Sequence, residues 1–267
     1  MHRLLAITLL TLPLPAVSAA GQPTGLLSHR AIYALRLADK DAGDLFAAVE
    51  GAMVIEWKAT CDGWVSSQRM GFVAETPEGE DITFDVRFSS WESAENDRIR
   101  FTLRSFDGPH QVESYRGEAR LEGPDGSGVA RYREPEEVSI ELPPGTVFPT
   151  EQMRRLVEAA REGRMMSQYR LFDGSGLVAT SSVAAVIGGP VEVPEAVSGL
   201  TRRWPVSLAY YDLGGEDPAG EAGIPEFEIS FMLDEGGVLY DVRLDYGDFA
   251  LEGELEKLEL LPAPDCR

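Results

Sequence analysis

Two cysteines and two histidines are the side chains beyond the first twenty residues best suited to redox, metal or acid–base chemistry, and their spacing decides which is available. Cys61 and Cys266 stand about 205 positions apart, with no neighbouring cysteine and no CxxC pair. That spacing offers neither a redox shuttle nor a cysteine-rich zinc site. It leaves a structural disulfide or two buried thiols. His29 and His110 are isolated and read as structural or solvated. Gly126-Ser127-Gly128 and Gly174-Ser175-Gly176 fall outside the G-x-S-x-G frame and read as hairpin loops. There is no HExxH, Walker A, dinucleotide-binding or EF-hand pattern, and Asp245 with Asp248 reads as a pair of turn flanks rather than calcium ligands. Among 45 acidic residues no pair is singled out for glycoside cleavage. The residues therefore nominate no catalytic constellation, metal or cofactor, and the chain is expected not to be an enzyme.

The compartment bears on the cysteines. Residues 1–20 open Met-His-Arg, continue apolar from Leu4 to Val17 and end in Ser18-Ala19-Ala20, which reads as a secretory signal peptide cleaved after Ala19 or Ala20. The run is short and interrupted by Pro13 and Pro15, so it is not expected to span a membrane. An exported chain with an even cysteine count favours the disulfide. Cleavage leaves 23 basic against 45 acidic side chains, a formal charge of −22. A field of that sign disfavours nucleic acid and anionic lipid headgroups as partners, while favouring solubility or a basic patch on another protein.

The elements that must position these residues are strands. Ile82, Phe84, Val86 and Phe88 alternate with Thr83, Asp85, Arg87 and Ser89, and the same period of two runs through 99–104, 227–231 and 238–246. These read as half-buried antiparallel strands. Further strands are expected near 31–37, 48–60, 64–74, 111–121, 128–133, 137–142, 166–172, 177–187, 203–211 and 249–260. Asp62-Gly63 has the composition of a two-residue hairpin loop, which pairs Ile55 with Met70, Trp57 with Gln68 and Cys61 with Trp64. The Cys61 thiol then points to the core. The row Trp57, Trp64, Gln68, Met70 and Phe72 is either ordinary core or the lining of a ligand cavity, with Gln68 a core amide or a pocket donor. A second hairpin around Gly247-Asp248 pairs Leu244 with Leu251, Val242 with Gly253 and Tyr240 with Leu255. Past Lys257 the phase flips, which predicts a bulge.

One segment, about 151–162, reads as a helix, with Met153, Leu156, Val157 and Ala160 on one face, Thr150 as N-cap and Gly163 at its end. Strand character continues on both sides without a linker, so residues 21–267 read as one domain with the helix plugging one end of a curved sheet. The likeliest long loops are 188–201 and 214–225.

Several motifs together resemble one family. Ser28-His29-Arg30-Ala31-Ile32-Tyr33, Cys61-Asp62-Gly63-Trp64 with Gln68-Arg69, Phe148-Pro149-Thr150, Leu171-Phe172-Asp173-Gly174, Asp245-Tyr246-Gly247-Asp248-Phe249 and the terminal Cys266 look like the EipB family of periplasmic envelope-integrity proteins. The resemblance implies a mainly β fold, a curved, spiral-like or broken-barrel antiparallel sheet, with a disulfide between Cys61 and Cys266. It also implies a Gram-negative periplasmic address and a role in envelope integrity under stress, with no known enzymatic activity. Glu151-Gln152 stand where that pattern has His or a similar residue, so a histidine role there does not carry over. Two functions follow: binding of another periplasmic envelope protein, the preferred reading, or carriage of an apolar envelope ligand such as a lipid or lipoprotein in a half-barrel cavity. A cavity or a packed interior separates them.

Overall fold

A computed structural model describes residues 25–38, 45–123, 126–177, 180–194, 197–212 and 224–266. The leader and most of the 214–225 loop lie outside these. Alternating sequence becomes strand almost throughout: β1 (His29–Leu37), β2 (Ala48–Thr60), β3 (Gly63–Glu75), β4 (Asp81–Ser93), β5 (Arg98–Asp107), β6 (His110–Leu121), β7 (Gly128–Glu134) and β8 (Val138–Leu142) form one meander. After the short β9 (Thr146–Val147) and the helix α1 (Pro149–Arg161), a second half follows. It consists of β10 (Met166–Leu171), β11 (Ser181–Ile187), β12 (Val191–Glu192), β13 (Arg202–Asp212), β14 (Phe227–Asp234), β15 (Leu239–Asp245) and β16 (Ala250–Leu260).

All sixteen strands belong to one sheet, in the order β8 to β1, then β16 to β13, β11, β10 and β9, with β12 on β13. The first strand thus pairs with the last, His29 opposite Leu260 and Leu37 opposite Leu251, and joins the two halves. Each strand pair twists by roughly 20–25°, so a sheet this wide curls rather than lying flat. It rolls into a nearly closed, barrel-like body whose seam lies between the edge strands β8 and β9. The main core fills the interior from β1–β3, α1 and the second half. A smaller core packs Phe101, Tyr132, Phe148 and Phe172 beneath β5–β8. Tyr33, 1% exposed, crosses the interior and donates its hydroxyl to the Leu239 carbonyl at 2.9 Å. Tyr33→Phe should therefore cost about 1 kcal/mol of stability in urea unfolding at unchanged slope.

The hairpin around Gly247 has the expected register, Leu244 opposite Leu251 and Val242 opposite Gly253. The ladder stops there, beside Asp241 at φ 50°, and Leu255 faces Tyr33 rather than Tyr240. The expected bulge lies at Glu256, where the β1–β16 register steps between Ile32 and Tyr33. The β2–β3 hairpin differs from expectation. Thr60 pairs with Gly63, Trp57 with Ser66, Ile55 with Gln68 and Met53 with Met70, so the loop is Cys61-Asp62. A Cβ at Gly63 would collide with the Glu92 carbonyl oxygen, so the glycine is spent on close approach of β4 and not on the turn. Because the slip is by two residues, the inward row is preserved. Cys61 is nevertheless exposed in the turn rather than core-facing. It is bonded to Cys266 with a Cα–Cα separation of 5.5 Å.

The helix begins at Pro149, two residues earlier than a Thr150 cap allows. Phe148 is the N-cap and contributes no side-chain bond. Proline at the first position loses nothing by lacking an N–H. The Thr150 N–H donates instead to the buried Glu92 carboxylate of β4 at 2.9 Å. Gly163, at φ 72°, ends the helix as expected.

Candidate functional site

Closure of β1 on β16 brings inward side chains of both halves around a cavity of about 350 Å³. Three sequence-nominated residues line it: Trp57 of β2 and Gln68 and Met70 of β3. Phe72 belongs to the packed core, its ring 4.9 Å from that of Phe84. Trp64 is half-buried outside the cavity wall. The remaining wall is mostly apolar and comes mainly from the second half, with Phe227, Ile229 and Phe231 of β14 and Leu239 and Leu244 of β15. Tyr246 stacks on Phe249 at 4.9 Å and lies 5.0 Å from Phe227, continuing the ring row to Tyr210. Helix α1 covers the cavity with Pro149, Gln152 and Met153. The helix is thus part of the site as well as a plug.

The polar groups of the lining are few, and the charged ones among them are Arg69 and Asp173. His29 is buried, hydrogen-bonded through Nδ1 to the Leu27 carbonyl, and held below its ordinary pKa by burial. Burial likewise pushes the Tyr246 phenol up to about 12 and raises those of Tyr33 and Tyr210. Gln68 donates to Ser66 Oγ over a long 3.5 Å. Two donors have no partner among the described residues, Trp57 Nε1 and Gln152 Nε2. Buried donors without acceptors cost roughly 1–3 kcal/mol each. A mostly apolar interior equipped with two such donors suits a hydrocarbon body carrying an acceptor oxygen. No group of three or more His, Cys, Asp or Glu placed to hold a metal occurs among the described residues.

Sequence reasoning passed over His29 and Gln152. His29 is in phase with the buried Ala31, Tyr33 and Leu35, so strand parity could have placed it inward. Gln152 lies one position before the apolar face of α1, and only the tertiary packing turns it to the cavity.

A family model described as EipB-like matches residues 20–262. The cell envelope integrity protein EipB of Brucella abortus (strain 2308) is 32% identical over 254 residues, spanning 91% of this chain and 87% of that protein. A crystal structure from Brucella abortus, described as a beta-barrel-like protein of the domain of unknown function DUF1849, is also similar. It matches with a TM-score of 0.78 at 31% identity, over 89% of this chain and 99% of the other.

Proposed function

The chain belongs to the EipB-like family, and we propose that it supports envelope integrity in the Gram-negative periplasm, without catalysis, by holding one apolar ligand inside its barrel. The observation that carries this reading is the mostly apolar cavity with Trp57 Nε1 and Gln152 Nε2 unpaired. A volume of about 350 Å³ sits at the small end of ligand pockets. The ligand is therefore a single-chain amphiphile, or the acyl group of a lipid or lipoprotein, with its carbonyl toward the two donors. Export is supported by the leader-like residues 1–20 and by a disulfide suited to an oxidising space. The envelope role is supported by what the Brucella relative is called.

The alternative, docking of a partner protein on an open strand, is less well served. Edge strand β8 is preceded by Pro135, Glu136 and Glu137 and carries Glu141, features that guard an edge against added strands. The other edge, β9, is two residues long.

Native mass spectrometry of the oxidised protein should find co-purified lipid, and a fluorescent fatty acid should bind one per chain. Ile229→Trp, which fills the cavity, should weaken probe binding roughly tenfold or more while the fold persists. A wild-type protein that carries no lipid and binds no probe would overturn the reading.

A further inference from the structure

The outward side of β5–β7 carries more base than acid, unlike the rest of the molecule. Residues 98–133 carry seven arginines against five acids in a chain of net charge −21. Strand alternation turns all seven to solvent: Arg98, Arg100 and Arg104 on β5, Arg116 and Arg120 on β6, Arg131 and Arg133 on β7. Register then sets them side by side. Arg98 faces Arg120, and Arg100 and Arg131 flank Glu118 in one cross-strand row. Arg116 is paired with Glu134 and Arg98 with Asp97. Arg100, Arg104, Arg120, Arg131 and Arg133 make no ion pair among the described residues. Arg100 lies over the Trp91 ring and Arg87 over the Phe106 ring, at 5.3 and 4.9 Å. A cleft of about 590 Å³ opens in this face between Trp91, Arg100, Arg116 and Arg133.

We propose that this face docks the protein on the anionic headgroups of a lipid bilayer. Every cation in the array is arginine, whose planar fork binds phosphate oxygens in pairs. Arg87 on β4 is paired with Asp85, and the array runs over four strands from Arg87 to Arg133 on β7, about 14 Å at the usual strand spacing. Aromatic rings lie among the arginines, and Val112, 61% exposed, lies on a strand of the same stretch. Cations mixed with aromatic and apolar side chains suit the boundary where phosphates overlie acyl chains. The net negative charge does not forbid this. At physiological ionic strength the Debye length is about 8 Å, so acids on the far side of the barrel are screened and the local face governs contact. The surface is separate from the cavity, and its test does not depend on whether the cavity carries a ligand.

Sedimentation of the oxidised full chain with vesicles tests it. Binding is expected to vesicles containing phosphatidylglycerol and not to phosphatidylcholine alone, and it should weaken as salt rises. Each arginine at such a surface is worth about fivefold in partition, so the combined Arg100→Glu, Arg120→Glu and Arg131→Glu variant should lose on the order of 100-fold or more. The corresponding serine variant, which removes the same three charges without reversing them and so without disturbing folding, should lose about 100-fold, and the glutamate variant more. Arg36→Glu, on β1, should bind as wild type. Absence of binding to the anionic vesicles, or binding undiminished in both triple variants, would overturn the proposal. Binding of polyglutamate with no binding to vesicles would overturn it in favour of an acidic protein partner.

Discussion

Replacing Cys61 or Cys266 with serine should lower the melting temperature of the oxidised protein by about 10 °C or more and make it insensitive to reductant. The bridge joins residues 205 positions apart. For a loop of that length the chain-entropy model gives roughly 5 kcal/mol, an upper bound because unfolded chains retain structure. In a chain of this size each kcal/mol corresponds to about 2–4 °C. The bond's position makes most of that gain available. Strand β1 lies between β2 and β16, and the bridge passes from the β2–β3 turn to the tail beyond β16, across the start of β1. The same point is tied by two hydrogen bonds, Ala59 N–H to Ser28 Oγ and Leu261 N–H to the Ser28 carbonyl. Those bonds close the join between the two halves, and residues beyond Leu260 have no strand to hold them. Both cysteines are exposed, so reductant should bring the wild-type protein down to the melting temperature of the variants. Equal melting temperatures for oxidised wild type and both variants would refute a stabilising clasp.

What could be read before the coordinates divides along a physical line. Strands were legible because a half-buried sheet imposes a period of two on each segment by itself, and the bulge at Glu256 showed as a phase change between Lys257 and Leu258. The β2–β3 turn was misread because Asp62-Gly63 is a strong local turn signal. The competing demand, the approach of Glu92 to Gly63, comes from a strand thirty residues on. The missing N-cap has the same origin, since the acceptor for Thr150 also belongs to Glu92. One row of the cavity, Trp57, Gln68 and Met70, was legible as inward-facing. Its other wall, Phe227, Ile229 and Leu244, alternates just as plainly, but only the β1–β16 pairing sets the two rows face to face. The arginine cluster is hidden in the net charge, which averages over the surface. A total of −21 does not reveal that alternate spacing collects seven arginines on the outward side of β5, β6 and β7.

Glu92 should make the protein lose stability as pH rises from about 4.5 to 7, opposite to the usual behaviour of a carboxylate. Its side chain is 1% exposed, and burial raises its pKa from the ordinary 4.5 to about 7. The hydrogen bond from Thr150 and the nearby Arg154 guanidinium oppose that rise without cancelling it. A folded state that holds the proton more tightly than the unfolded chain gains from protonation, so the gain is complete below about 4.5 and gone above about 7. Across that window the difference amounts to about 3 kcal/mol. Other groups titrate there too: His29, held low by burial, favours the unfolded state as pH falls. The informative quantity is therefore the difference from Glu92→Gln, whose amide oxygen still accepts from Thr150 N–H but carries no titrating proton. Relative to that variant, wild type should lose about 3 kcal/mol between pH 4.5 and 8 in urea unfolding, most of it by pH 7. Glu92→Ala should instead be destabilised by about 1–3 kcal/mol relative to Glu92→Gln at every pH, because the first turn of α1 is left with a buried donor and no acceptor. Parallel pH profiles for wild type and Glu92→Gln would show that this carboxyl does not titrate in the folded protein across that range, and that the helix N-terminus over the cavity is held by charge rather than by a neutral acid.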